Sequence, residues 1–139
     1  GPNLNFLGTR EPDIYGNQKI DNYIDQLKKE FNVKIDYIQT NIEGEIINHL
    51  HHATVQYNAV IINAGGYTHT SIAIRDAITI VKKNYNIPVI EVHISNIFNR
   101  ESFRQKSVIA SVVSGSISGF GLNSYKLALY YIIDLFNNK

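Results

Sequence analysis

The order of apolar and polar positions predicts strands and helices that follow one another along the chain. Four short apolar or alternating runs are typical of strands, and they cover residues 33–38, 59–62, 88–94 and 111–117. Apolar residues at helical spacing predict helices over residues 18–31, 43–56, 74–81 and 122–136. Asn17 is the predicted N-cap of the first helix. Residues 1–16 contain Gly and Pro at intervals and predict a loop.

This alternation is typical of an α/β protein with one parallel sheet. Parallel strands joined by right-handed helical crossovers give a doubly wound, three-layer α/β/α fold. No repeat or linker interrupts the pattern, so we expect one domain over residues 1–139. Residues 1–3 look like the loop that follows a strand. We therefore expect a native first strand of roughly five or six residues before Gly1, missing from this sequence.

Composition and charge exclude several classes of function. The 139 residues carry a net charge of +1, which argues against a nucleic-acid-binding protein. No apolar run approaches the roughly 18 residues that a membrane span needs. The chain has no Cys, so it has neither disulfides nor a thiolate nucleophile. These features favour a cytoplasmic protein with no membrane association.

Candidate chemistry lies where the predicted strands end. The run at residues 59–62 leads into Asn63, two glycines and His69. Ligands of open α/β sheets bind in the crevice beyond the carboxyl ends of the strands. We therefore expect both side chains to face a binding crevice. The strand at residues 88–94 carries Glu91 and His93, which are two residues apart and point to the same face.

Three long motifs resemble those of the type II 3-dehydroquinases. They are GPNLNFLGTREPDIYG at residues 1–16, NAGGYTHTS at 63–71 and EVHISN at 91–96. The spacing of Arg100 and Arg104 and the final Gly-Phe-Gly at 119–121 complete the match. The resemblance implies dehydration of 3-dehydroquinate to 3-dehydroshikimate in the shikimate pathway, by anti elimination through an enolate. It also implies a flavodoxin-like fold, no cofactor, no metal, and a homo-oligomer that is a dodecamer of four trimers.

The catalytic residues implied by the resemblance agree with the chemistry of an elimination. Tyr15 is the expected base, and it needs a cation nearby because an unperturbed phenol has a pKa of about 10. Arg10, on the same loop, supplies that cation. His93 is the expected acid, with Glu91 accepting the other ring N–H. Asn3 is expected to hold the water or oxyanion at the ketone oxygen.

The resemblance further implies which groups bind the substrate. The backbone N–H groups of Ile94 and Ser95, together with the Ser95 hydroxyl, would hold the carboxylate. Three side chains would bind the hydroxyl groups: Asn63, His69 and Arg104. Asp76, on the third helix, corresponds to a residue that reaches the site of a neighbouring subunit.

Other functions remain open at this point. One alternative is a flavodoxin-like module that binds a small molecule or nucleotide without catalysis, since the fold alone permits it. A second is a homologue that only assembles, and a third is a dehydroquinase that uses a Schiff-base Lys. Three histidines also lie on the second predicted helix, at positions 49, 51 and 52. We interpret them as a solvated helix face, because no Cys or paired acid completes a metal site.

Overall fold

A parallel three-stranded sheet forms the centre of the protein. The computed structural model describes residues 1–7 and 19–138. The strands are β1 (Val60–Ile62), β2 (Val89–His93) and β3 (Gly115–Ser118), in the spatial order β1-β2-β3. The helices are α1 (Ile20–Glu30), α2 (Glu43–Gln56), α3 (Ile72–Tyr85) and α4 (Asn123–Asn137). Short 3₁₀ helices cover Leu4–Phe6, Gly65–His69, Ile97–Asn99 and Ser102–Arg104.

The register of the sheet brings the ends of the strands to one edge. Val60 of β1 pairs with Val89 of β2, and His93 at the end of β2 pairs with Ser118 at the end of β3. Both pairings are parallel. The carboxyl ends of all three strands therefore meet at one edge of the sheet, as the doubly wound prediction requires.

Two hydrophobic cores cover the two faces of the sheet. On one face, Ile90 and Val92 of β2 pack with residues of α1 and α4. On the other face, Val89 packs with residues of α2 and α3. Successive residues of a strand point to opposite faces, so Glu91 and His93 share the face of Val89. The predicted α/β fold with helices on both faces is confirmed.

The helices lie where the apolar spacing predicts them, with two corrections. Lys19, not Asn17, is the N-cap of α1, because the buried face of that helix begins at Ile20. Phe136 ends the apolar spacing that predicts this last helix, and the spacing places it on the buried face, but it is 38% exposed and does not belong to the core that α1 and α4 form. Among the described residues, no helix is both long and apolar enough to cross a membrane.

Residues 33–38 do not form the predicted edge strand. The described part of the chain contains no backbone partner for this segment in the sheet. A groove of about 700 Å³, lined by residues 33–38, Ala59 and Ile61, lies between it and β1. Ile35 and Tyr37 instead pack against the core that α1 and α4 form. This packing explains why apolar and polar residues alternate here, although, among the described residues, the segment makes no backbone hydrogen bonds to a neighbouring strand of the sheet. The expected first strand stays a prediction.

Two other strand predictions are partly wrong. β3 begins at Gly115 instead of residue 111, because residues 110–114 turn, with the Val112 N–H donating to the Ile109 carbonyl. Val113 is nevertheless buried, which explains the apolar run. The short apolar run of β1 is typical of a strand buried on both faces, but β1 is only partly buried, because Ile61 lines the groove beside it.

Candidate active site

A polar cleft of about 120 Å³ opens at the carboxyl ends of the strands. It is smaller than the groove beside β1, whose walls are largely apolar. The residues with acid–base and anion-binding side chains converge at the cleft, so chemistry identifies it as the candidate site. Its walls include Asn3, Asn63, His69, His93, Ile94, Ser95, Arg100 and Arg104.

Two glycines let the first loop pack tightly against the loop after β1. A Cβ on Gly1 would lie 2.4 Å from the carbonyl carbon of Ala64, so no side chain fits at this position. Gly65 has φ +57, which favours glycine, and its Cβ would meet the Pro2 ring at 3.1 Å. This contact brings Asn3 to the cleft, where its backbone N–H donates to Asn41 Oδ1 at 3.0 Å.

Glu91 and His93 form a buried pair beneath the cleft. Glu91 is fully buried and His93 is 6% exposed. His93 Nε2 is hydrogen-bonded to Glu91 Oε2, and the Ser107 hydroxyl lies 2.9 Å from the same oxygen. A buried carboxylate is costly unless it is hydrogen-bonded and paired. The pair therefore places an acid–base imidazole, held by a carboxylate, in the wall of the cleft.

His69 lies beside His93 with a defined orientation. Its Nδ1 is 2.7 Å from the Lys106 carbonyl, which can only accept, so Nδ1 carries the proton. Its Nε2 is therefore the ring nitrogen left to bind a ligand. The rings of His69 and His93 stack with their centroids 6.4 Å apart. The two imidazoles together form one wall of the cleft.

Asn63 is fixed by bonds on both sides of its amide. Its Nδ2 donates to the Tyr125 hydroxyl at 2.9 Å, and its Oδ1 accepts from the Gly65 N–H at 3.1 Å. Burial raises the pKa of Tyr125 far above its usual range, so this phenol stays neutral. Asn63 keeps one amide hydrogen for a ligand in the cleft.

Two arginines give the cleft its positive charge. Arg100 donates to the Ser95 hydroxyl at 3.3 Å, which orients that hydroxyl at the end of β2. Arg104 donates to Glu101, and this hydrogen bond lowers the pKa of the Glu101 carboxyl. Guanidinium groups match carboxylates in shape and charge. The cleft is thus suited to a small anion with several hydroxyl groups.

The structure brings most of the predicted site residues together. Seven of them line the cleft: Asn3, Asn63, His69, His93, Ile94, Ser95 and Arg104. Glu91 lies behind His93, and Asp76 is exposed on α3, away from the cleft of its own chain. Arg10 and Tyr15 lie outside the described residues.

Sequence reasoning missed two contributors to the site. Arg100 is one of the two arginines whose spacing forms part of the family resemblance, so its contact with Ser95 could have been predicted. Ser107 reaches Glu91 across sixteen residues through an irregular turn, and no spacing rule signals that contact. None of the Lys side chains in the described residues lines the cleft. This counts against a Schiff-base mechanism.

Comparison with known proteins identifies the family. The family model described as Dehydroquinase class II matches residues 1–133. The chain belongs to this family. The resemblance drawn from the three motifs is therefore confirmed, and this class II dehydroquinase is an enzyme of the hydro-lyase class.

Relatives and solved structures agree with this assignment. A 3-dehydroquinate dehydratase of Campylobacter lari is 50% identical over 99% of this chain and 85% of its own length. One of Trichodesmium erythraeum is 50% identical over 100% of this chain and 92% of its own. The crystal structure of type II dehydroquinase from Butyrivibrio crossotus superposes with a TM-score of 0.89 at 44% identity. That superposition covers 95% of this chain and 92% of the other, which confirms the flavodoxin-like fold.

Proposed function

We propose that this class II dehydroquinase dehydrates 3-dehydroquinate to 3-dehydroshikimate as a step of the shikimate pathway. The observation that carries the proposal is the buried Glu91–His93 pair at the end of β2, in the wall of a cleft that also contains two arginines. An elimination of water needs an acid beside the leaving hydroxyl, and the substrate's carboxylate needs cations. The named activity of the relatives supports the same reaction.

The elimination proceeds in two proton transfers. Tyr15, its phenolate favoured by the Arg10 cation, takes the C2 proton and leaves an enolate whose oxygen Asn3 stabilises. The enolate then reforms the ketone as the C1–O bond breaks, and His93 donates a proton to the leaving hydroxyl. Water departs and a C1–C2 double bond remains. Proton exchange with solvent restores Tyr15 and His93.

The remaining groups of the cleft bind and orient the substrate. The N–H groups of Ile94 and Ser95, with the Ser95 hydroxyl, hold the carboxylate. Arg100 supports this role because it orients the Ser95 hydroxyl. Three side chains bind the substrate hydroxyl groups: Asn63, His69 and Arg104. We propose no metal or cofactor for this reaction.

Assembly forms part of the proposal. The exposed position of Asp76 on α3 suits a side chain that completes the site of a neighbouring subunit. Ile72 and Ile80, one helical turn on either side, are 57% and 40% exposed, as expected for a face covered by another subunit. We propose a dodecamer of four trimers, built from one domain per chain over residues 1–139 and located in the cytoplasm.

Two variants, Tyr15→Phe and Tyr85→Phe, test whether Tyr15 is the base. Tyr15→Phe removes the phenol that takes the C2 proton, and we expect kcat to fall by about 10²-fold or more. Tyr85→Phe is the matched control, because Tyr85 is 53% exposed at the end of α3, outside the cleft. Product is followed by the ultraviolet absorbance of its conjugated double bond. Equal turnover in both variants would remove Tyr15 from the mechanism.

A further inference from the structure

The hydroxyl of Ser107 makes three hydrogen bonds that fix the direction of its proton. Its oxygen accepts from the backbone N–H of Ile109 at 3.3 Å and of Ala110 at 3.0 Å. A serine hydroxyl has two acceptor lone pairs and one donor hydrogen. With both lone pairs occupied, the hydroxyl must donate to Glu91 Oε2, which lies 2.9 Å away.

This donation acts on the oxygen that Glu91 shares with His93. Oε2 faces both Ser107 and His93 Nε2, whereas the buried Oε1 has no partner among the described residues. Oε2 accepts from the Ser107 hydroxyl through one lone pair and keeps another for His93, so the geometry at this oxygen matches a ring N–H that donates to it. The proton between Glu91 and His93 then resides on Nε2.

We propose that Ser107 is a positioning residue that keeps one ring proton on His93 Nε2, so that the cationic ring donates its second proton, held on Nδ1, to the leaving hydroxyl and returns to the neutral form protonated on Nε2. The inference deepens the dehydration proposed above and rests on it for the role of His93. His93 lines the cleft, and Nδ1 is the ring nitrogen that the bond to Glu91 does not use. Ser107 touches neither substrate nor Nδ1, and it acts through Glu91.

A purely structural role for Ser107 predicts different behaviour. In that case the hydroxyl only caps the turn at residues 107–110, and its loss lowers stability without moving the proton. Ser114 offers a matched control, because its hydroxyl accepts from the Val89 N–H at 3.2 Å at the opposite end of β2. Ser114→Ala removes an equivalent cap and leaves the Glu91–His93 pair intact.

The direct test is ¹⁵N NMR of the histidine rings in the ligand-free protein. We expect a protonated Nε2 and, in the neutral ring, an unprotonated Nδ1 for His93 in the wild type, in Ser107→Thr and in Ser114→Ala. In Ser107→Ala, the ratio of the two His93 tautomers shifts by about 10-fold toward protonated Nδ1, as expected for losing a hydrogen bond to a charged group. Unchanged His93 signals in Ser107→Ala would overturn the proposal. If Ser107→Ala does not fold, Ser107→Cys, whose thiol is a weak donor, is measured against the same criterion.

Kinetics provide a second readout and separate this proposal from the proposed function. We expect Ser107→Ala to lower kcat by about 10-fold with little change in KM, and Ser107→Thr to restore most of it. A wild-type protein with no dehydratase activity would refute the proposed function, while the NMR test of Ser107 would stand. An active wild type with the same kcat in Ser107→Ala would refute the role of Ser107 alone.

Discussion

The buried Glu91–His93 pair predicts a specific pattern of stability in three variants. His93→Leu removes the partner of a fully buried carboxylate and puts an apolar side chain of similar size in its place. Glu91→Gln removes the charge, and the double variant removes both. Breaking a buried pair from one side costs more than replacing the whole pair, because it leaves an uncompensated charge.

The structure sets the magnitude of the effect. Breaking a buried pair typically costs about 3–5 kcal/mol. Ser107 still donates to Glu91 in His93→Leu, so we expect the lower end, about 3 kcal/mol. For a chain of 139 residues the entropy of unfolding is about 0.3 kcal/mol per kelvin, which makes this a fall of about 10 °C in Tm. The double variant should be more stable than His93→Leu by about 2 kcal/mol, because no charge remains to be neutralised.

Denaturant and thermal unfolding followed by circular dichroism measure these differences at one fixed protein concentration. The informative quantity is the coupling free energy from the double-mutant cycle. Two results would refute the reasoning. His93→Leu within about 1 kcal/mol of the wild type would mean that Glu91 does not need its partner. A double variant less stable than His93→Leu would mean that charge is not the cause.

Two further predictions follow from the amino terminus and from α3. An apolar, β-branched extension of about six residues fused to Gly1 should fill the groove beside β1 and raise Tm, whereas a Gly/Ser extension should not. Mixing Asp76→Ala chains with His93→Gln chains should restore activity in about a quarter of the sites, and no recovery would show that Asp76 does not serve a neighbour.

The helices and two of the strands could be predicted because the apolar residues of each element have the spacing of its buried face. In α3, Ile74 and Ile78 are fully buried at helical spacing. Residues 33–38 show the limit of this reasoning, because their alternation reflects packing on helices and a strand also needs a backbone partner. The position of β3 could not be read from its apolar run, because Val113 is buried within a turn.

The site residues that could be predicted are those at the carboxyl ends of the strands. Asn63 and His93 follow from the rule that ligands bind beyond the carboxyl ends of parallel strands. The contact between Glu91 and His93 follows from their spacing on β2. The roles of Ser107 and Lys106 could not be predicted, because their contacts depend on the path of an irregular turn.

The role of His93 in this dehydration is tested most directly by turnover of 3-dehydroquinate in chelator-treated buffer, measured side by side for the wild type and His93→Gln. Gln can still donate to Glu91 but cannot act as an acid near neutral pH. We predict sustained formation of the conjugated product by the wild type and a loss of about 10²-fold or more in kcat in the variant. Equal turnover in both proteins would contradict the role of His93. Binding of the substrate without turnover in either would contradict the enzyme itself and favour a binding module.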